Sequence, residues 1–308
     1  MIFSPQRQYL VEAPQKISAA HVTRFARWRE IVRSSHFNET LTCFGRPCQA
    51  DAGMPTAQPV SLYIITFNDA DNLRAVLPTV LWADEVVVAD SFSTDDTAAV
   101  CAQFGARHVN IKFEGFGKLR NDTLALLKHD WVVSIDSDER STPEFADEVR
   151  RTVAAPQHAA YFVPRRNTFL GKPVRFSGMY PDYRQPQVFN RRKFRYREDP
   201  VHESFHCDGT IGYFKNSIWQ HPWPTLQVLM QKGDRYTTLV ARQRFEQGKR
   251  AGVAQLLGHP PAAFIKKYFI QQGFRDGVPG LMIATQHAFF TFVKYAKLWE
   301  LQNDKSRS

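Results

Sequence analysis

The chain has 308 residues, 43% hydrophobic and 23% charged, an ordinary globular usage that excludes wholesale disorder, collagen and fibrous repeats. Forty Lys plus Arg against thirty Asp plus Glu leave a formal charge of +10, so an anionic partner is expected: nucleic acid, a membrane surface or a phosphorylated substrate. Cys43, Cys48, Cys101 and Cys207 are too few and too scattered for a disulfide framework, and no second pair completes a zinc site around the first two.

Residues 1–58 hold few sustained apolar runs and end in a small, polar, proline-bearing stretch, which reads as an extension outside the fold. The rival reading is a short basic helix near His21 to Arg33 that docks elsewhere, and Met54, just ahead of the first strand, is an alternative translation start. No basic segment followed by an apolar stretch marks a secretory signal, so a cytoplasmic location is expected.

From Val60 the pattern changes. VSLYIIT (60–66), EVVVA (85–89), RHVNIKF (107–113) and WVVSI (131–135) are short apolar runs, each followed by a helical stretch, as in a parallel sheet covered on both faces. This predicts an α/β, Rossmann-like domain over residues 59–215. Ser141 or Thr142 caps the helix that follows Ile135, with Pro143 and Glu144 in its first turn. Beyond Pro156 the extended pieces AAYFVPRRNTFLGKPVRF and QVFNRRKFRYRE predict added antiparallel strands. Residues 216–308 are read as a C-terminal helical region for acceptor or membrane association. Its stretch Gly277–Val293 carries no charge but is too short and too diluted to span a bilayer. With Lys266, Lys267, Lys294 and Lys297 beside Phe264, Phe269, Phe289, Phe290 and Phe292, these helices are expected to lie in the headgroup region or to cover the α/β domain.

Three polar clusters directly follow three apolar strands: Thr66-Phe67-Asn68-Asp69, Asp90-Ser91-Phe92-Ser93-Thr94-Asp95 and Asp136-Ser137-Asp138-Glu139. The carboxyl ends of parallel strands line one edge of an open sheet, where ligands bind, so the clusters should converge. Taken alone, Asp90 and Ser93 also fit a plain turn and helix cap. Asp136 and Asp138 repel each other unless a cation offsets them, and a hard divalent ion shared with substrate phosphate oxygens does so. An EF-hand beginning at Asp136 fails, because Ser141 stands where Gly is needed and Asp147 where Glu is needed. Gly115-Phe116-Gly117-Lys118 lacks the spacer and hydroxyl of a Walker A loop. A phosphatase whose strand ends in Asp-x-Asp is disfavoured by Arg140.

ITFNDADNL (65–73), VVVADSFSTDDT (86–97) and WVVSIDSDE (131–139), in this order and spacing, resemble the inverting GT-A glycosyltransferases of family 2. DYRQPQVFNRRKFRYREDPVHESF (182–205) and the tail with GFRDGVPGL and FVKYAKLWE resemble the lipopolysaccharide inner-core transferases that add a β-linked glucose to heptose. The resemblance covers residues 60–300. It implies a nucleotide-sugar donor, UDP-glucose, held by Thr66, Asn68, Asp69, Asp90, Lys118, Asn121 and Asp136, with Mg²⁺ or Mn²⁺ on Asp136 and Asp138. Asp69 in place of the usual Glu and Ala89 before Asp90 are the departures.

Inversion needs a base for the acceptor hydroxyl, and the resemblance assigns it to Glu203, with His202 near the diphosphate or the metal; Asp199 and Asp182 are rivals. Residues 165–197 carry ten Lys or Arg and one acid, which suits a phosphorylated lipopolysaccharide-core acceptor, with Arg184, Arg191 and Arg192 as its ligands. The expected enzyme is therefore peripheral at the inner face of the cytoplasmic membrane, with no nucleic-acid partner. A basic, non-catalytic binder, with Phe194 and Tyr196 interleaved among arginines, is the alternative.

Overall fold

The computed structural model describes residues 58–198 and 204–304. The extension and Met54 lie outside that range, apart from Gln58, as do Asp199, His202 and Glu203.

The apolar runs form the centre of the molecule. Strands β1 (Val60–Thr66), β2 (Glu85–Asp90), β3 (Arg107–Asn110) and β4 (Trp131–Ser134) are parallel. With β6 (Ala160–Phe162), β9 (Val188–Asn190) and β12 (Ile211–Tyr213) they make a seven-stranded sheet in the order β12-β6-β9-β4-β1-β2-β3, in which β9 runs antiparallel to both its neighbours. Helices α1 (Ala70–Val80), α2 (Thr97–Phe104) and α3 (Phe116–Leu126) make the crossovers, and α4 (Pro143–Ala154) follows β4. Helix α1 buries Leu73, Val76, Leu77 and Val80, one helical stripe, each side chain worth about 1.5–3 kcal/mol when fully withdrawn from water. The start of α4 is as expected: Thr142 accepts a hydrogen bond from the Phe145 amide, and Pro143 opens the first turn.

The chain leaves β1 on one side to build β2 and β3, then returns to place β4 on the other. The topological switch point therefore lies between β1 and β4, where an α/β sheet opens its binding crevice.

A second sheet has the order β5-β13-β7-β8, from Glu139–Arg140, Ile218–Trp223, Arg165–Phe169 and Lys172–Val174. Strand β13 lies at the start of residues 216–308, ahead of the helices. Its alternate residues Ile218, Gln220 and Pro222 are buried, a period of two that the polar and proline content of IWQHPW conceals. Strands β10 (Phe194–Tyr196) and β11 (Phe205–Cys207) form a separate ribbon. Helices α5 (Leu226–Glu246), α6 (Val253–Ile265) and α7 (Val278–Asn303) complete the described chain. None of the described helices is long and apolar enough to cross a membrane.

Candidate active site

The three polar clusters meet at the carboxyl edge of β4, β1 and β2. Thr66 lies opposite Asp90 in the sheet register. The Asn68 amide donates to Ser93 Oγ at 2.7 Å, and the Thr94 amide donates to Asn68 Oδ1 at 2.8 Å, which joins the loops after β1 and β2. Across the switch point Ser137 Oγ donates to Asp69 Oδ2 at 2.5 Å, joining the loops after β1 and β4. Asn68 adopts a left-handed backbone, φ 49°, which Asn tolerates better than most residues. A cleft of 340 Å³ lined by Asn68, Asp69, Asp71, Arg74, Asp95 and Asp96 opens at this rim. Thr66 Oγ1 is buried beside it with no partner among the described residues.

Each expected nucleotide ligand has a defined place. Asp90 is 1% exposed: Oδ1 accepts from the Ser93 amide and hydroxyl, and Oδ2 lies 2.9 Å from His108 Nε2. These bonds organise the loop that receives Asn68, as the turn reading expects. Lys118 pairs with Asp122 at 2.9 Å, and this contact raises its ammonium above the usual range. Asn121 is a correction. Its amide donates to Tyr196 O and Glu198 Oε1 and accepts from the Tyr196 amide, so it clamps the β10 ribbon onto α3 and has no group left for a diphosphate.

The two central carboxylates occupy different environments. Arg120 is 4% exposed beneath the loop and donates to Asp136 Oδ1 at 3.0 Å and Ser134 Oγ at 2.9 Å, with Tyr63 and Tyr196 around it. Burial alone would disfavour the Asp136 charge, but Arg120 and then Arg165 outweigh it and hold the carboxyl below its ordinary range. Asp138 has no such partner. Gln220 Nε2 is 3.4 Å away and Lys232 Nζ 4.0 Å, so burial and then the neighbouring Asp136 push its carboxyl up. The adjacent Glu139 is fully buried against Arg165 at 2.5 Å and also accepts from Gln187 and the Asp136 amide; burial pushes it up to about 7.

The residues fit a divalent ion. Asp138 is a mostly buried carboxylate whose charge the described residues leave poorly compensated, and Asp136 Oδ2 accepts no hydrogen bond from them. A Mg²⁺ or Mn²⁺ site that takes one or two carboxylates and completes its shell from a diphosphate needs no more from the chain. Among the described residues there is no group of three or more His, Cys, Asp or Glu side chains placed to hold a metal alone.

Charge along the sequence did not predict position. Strand β9 pairs Asn190 with Trp131, so the chain beyond Asn190 emerges at the amino end of β4: the Arg191 amide donates to Asp130 O at 2.8 Å, and Arg192 pairs with Asp130 at 2.8 Å. Arg191 and Arg192 thus lie away from the strand-end carboxylates. Six residues of extended chain separate Asp130 from Asp136, about 20 Å, and the two arginines line a different, 580 Å³ cleft with Lys193, Arg195 and His206. Arg184 stays with the site: it pairs with Asp182 at 3.0 Å, and its charge is felt by both Asp136 and Asp138. The other cations of 165–197 disperse, with Arg165 under Glu139 and Arg166 over the Trp219 ring.

Sequence reasoning missed Arg120, Arg165 and β13. Strand β13 pairs Gln220 with Glu139, and the His221 amide donates to Asp138 O at 2.8 Å, so this strand holds the second carboxylate in place. Burial, then Arg140, lowers the His221 imidazole below its usual range.

Residues 61–221 match the family described as "Glycosyl transferase family 2", a span that contains every element just described at the rim. The chain belongs to glycosyl transferase family 2. Its α/β fold is the GT-A, Rossmann-like arrangement with a mostly parallel sheet and flanking helices. The lipopolysaccharide core biosynthesis glycosyltransferase LpsC of Rhizobium meliloti is 28% identical over 263 residues, 81% of this chain and 95% of that protein. An uncharacterized glycosyltransferase of Rickettsia felis is 26% identical over 263 residues, 79% of this chain and 90% of that protein. The solved glucosyl-3-phosphoglycerate synthase of Mycobacterium tuberculosis is similar over 41% of this chain and 51% of its own, with 24% identity and a TM-score of 0.31, too partial a likeness to carry a comparison of function.

Proposed function

We propose that this family 2 glycosyltransferase transfers a hexose, glucose from UDP-glucose, with inversion onto a heptose of a lipopolysaccharide core, at the inner face of the cytoplasmic membrane. The observation that carries the donor half is the pair of bridges, Asn68 to Ser93 and Asp69 to Ser137, which unites three strand ends around carboxylates of unlike environment. The acceptor half rests on similarity to LpsC and on the resemblance of residues 182–205.

In this reading Asp138 and Asp136 hold Mg²⁺ or Mn²⁺. The ion, when bound, offsets negative charge on the departing diphosphate. Arg120 fixes the Asp136 carboxylate, and Ser137 and Asp69 hold the loop shut across the switch point. Arg184 supplies positive charge on the acceptor side. The base is Glu203, assisted by His202; of the rivals, Asp199 also lies outside the described residues. Asp182 is the weaker choice, since its Oδ2 already accepts from two nitrogens of Arg184.

The test is to incubate the purified chain with a panel of nucleotide sugars and a heptose-terminated core acceptor, with Mn²⁺ or with EDTA, reading nucleoside diphosphate release and the anomeric configuration of the product. Release from UDP-glucose that needs metal and acceptor, with a β-linked product, supports the proposal. A retained configuration, or full turnover in EDTA, overturns it.

A further inference from the structure

Helix α6 has 13 residues and none of them is buried, and the π-helical turn that extends it, Lys266–Ile270, buries none either. An apolar helix of this kind ordinarily hides one face. Here Leu257, Phe269, Ile270 and Val278 are 58–71% exposed, and Phe274 is 50% exposed. Apart from Leu257, which lies within α6, they sit on and around the turn between α6 and α7, a concentration of exposed apolar side chains that a protein left in water rarely tolerates. The charges around them are one-sided. Residues 247–299 carry seven Lys or Arg and one acid, Asp276. That acid is internally used: its carboxylate accepts from the Arg175 and Phe176 amides at 3.1 and 2.8 Å. At the turn itself the exposed charges are the cations Lys266 and Arg275, beside exposed apolar side chains, the composition of a segment lying in the interface of an anionic bilayer.

The turn is also fastened to the catalytic rim. Lys267 Nζ donates to Ser177 O at 2.7 Å, and the Ser177 amide donates to Gln271 O at 2.9 Å. A Cβ on Gly273 would lie 2.3 Å from Ser177 Oγ, and one on Gly280 would lie 1.8 Å from Gly273 O, so glycines let the turn press against this loop. Seven residues beyond Ser177 stands Arg184, whose charge reaches Asp136 and Asp138.

We propose that the turn between α6 and α7 inserts Phe269, Ile270, Phe274 and Val278 into the headgroup region of an anionic bilayer, so that an acceptor anchored in that bilayer meets the 175–184 loop beside the strand-end carboxylates. The insertion stands on the surface alone; the role in acceptor delivery rests on the glycosyltransferase reading of the rim. The sequence points to Phe264, Phe269, Phe289, Phe290 and Phe292 as the buried side, but Phe290 is packed against Gly233, and the aliphatic residues of the turn take its place.

The test uses the full chain and phosphatidylcholine vesicles with or without about one-third phosphatidylglycerol. The wild type should sediment with the anionic vesicles, and I270D/F274D should lose about 100-fold in partitioning while I270L/F274L retains it. Donor hydrolysis in solution, without vesicles, should be equal in all three. A wild type that ignores anionic vesicles, or an aspartate variant that binds like it, overturns the insertion. A wild-type dimer that the aspartate variant converts to monomer also overturns it, since a second copy then covers the turn. Donor hydrolysis missing from every protein, with vesicle binding intact, counts against the catalytic reading and not against insertion.

Discussion

Arg120→Met removes the cation beneath the paired carboxylates while roughly keeping volume. In the wild type the guanidinium donates to Asp136 at 3.0 Å and Ser134 at 2.9 Å and is 4% exposed. Breaking a fully buried pair from one side costs about 3–5 kcal/mol. The Asp136 side chain keeps 35% of its exposure, so water recovers part of that loss and about 2–3 kcal/mol is expected. For a unit of this size that is a fall of about 4–12 °C in Tm. The pH dependence is the sharper reading. Asp136 is depressed in the wild type, so the pair's contribution is present above the ordinary carboxylate range and lost only as pH falls through the depressed value. Without Arg120 the Asp136 carboxyl rises under burial and the nearby Asp138, the variant takes up a proton on folding, and its deficit should shrink between pH 8 and pH 5. Differential scanning calorimetry at both pH values decides it. A deficit equal at the two pH values, or one below about 0.5 kcal/mol, would refute the claim that Arg120 holds a charged Asp136.

Three further outcomes follow from individual contacts. Asp138→Asn should abolish sugar transfer yet leave the unfolding free energy unchanged or raised by up to about 1 kcal/mol, because it removes a poorly paired charge beside Asp136; thermal scans without metal check it. Thr142→Ala deletes the cap of α4 and should cost about 1 kcal/mol in urea titration with kcat preserved, which separates stability from chemistry. Gly117→Ala would place a Cβ 2.1 Å from Arg197 O and displace the backbone that leads to Asp199–Glu203, so steady-state kinetics should show kcat falling about tenfold or more with donor KM little changed.

What was legible in the sequence was what depends on local pattern. The β1, β2 and β4 runs read as buried parallel strands because both faces are covered, and the polar clusters after them sit at one edge by the geometry of such a sheet. The Thr142-Pro143 start was equally local. Arg120 was not legible, since an arginine inside a helix ordinarily faces water and only the tertiary fold turns it under Asp136. The position of Arg191 and Arg192 was hidden for a different reason: a count of cations has no direction, and the antiparallel turn of β9 carries them to the far end of the sheet. Strand β13 was hidden because its pairing with Glu139 and Arg140 spans some eighty residues, and no periodicity within six residues announces that partner.

The central claim is that three strand ends form one diphosphate site completed by a divalent ion at Asp138. Calorimetric titration of UDP into the full chain tests it most directly. Binding should appear with Mn²⁺, vanish in EDTA and vanish in Asp138→Asn even with Mn²⁺ present; UDP that binds equally well in all three conditions would contradict the account.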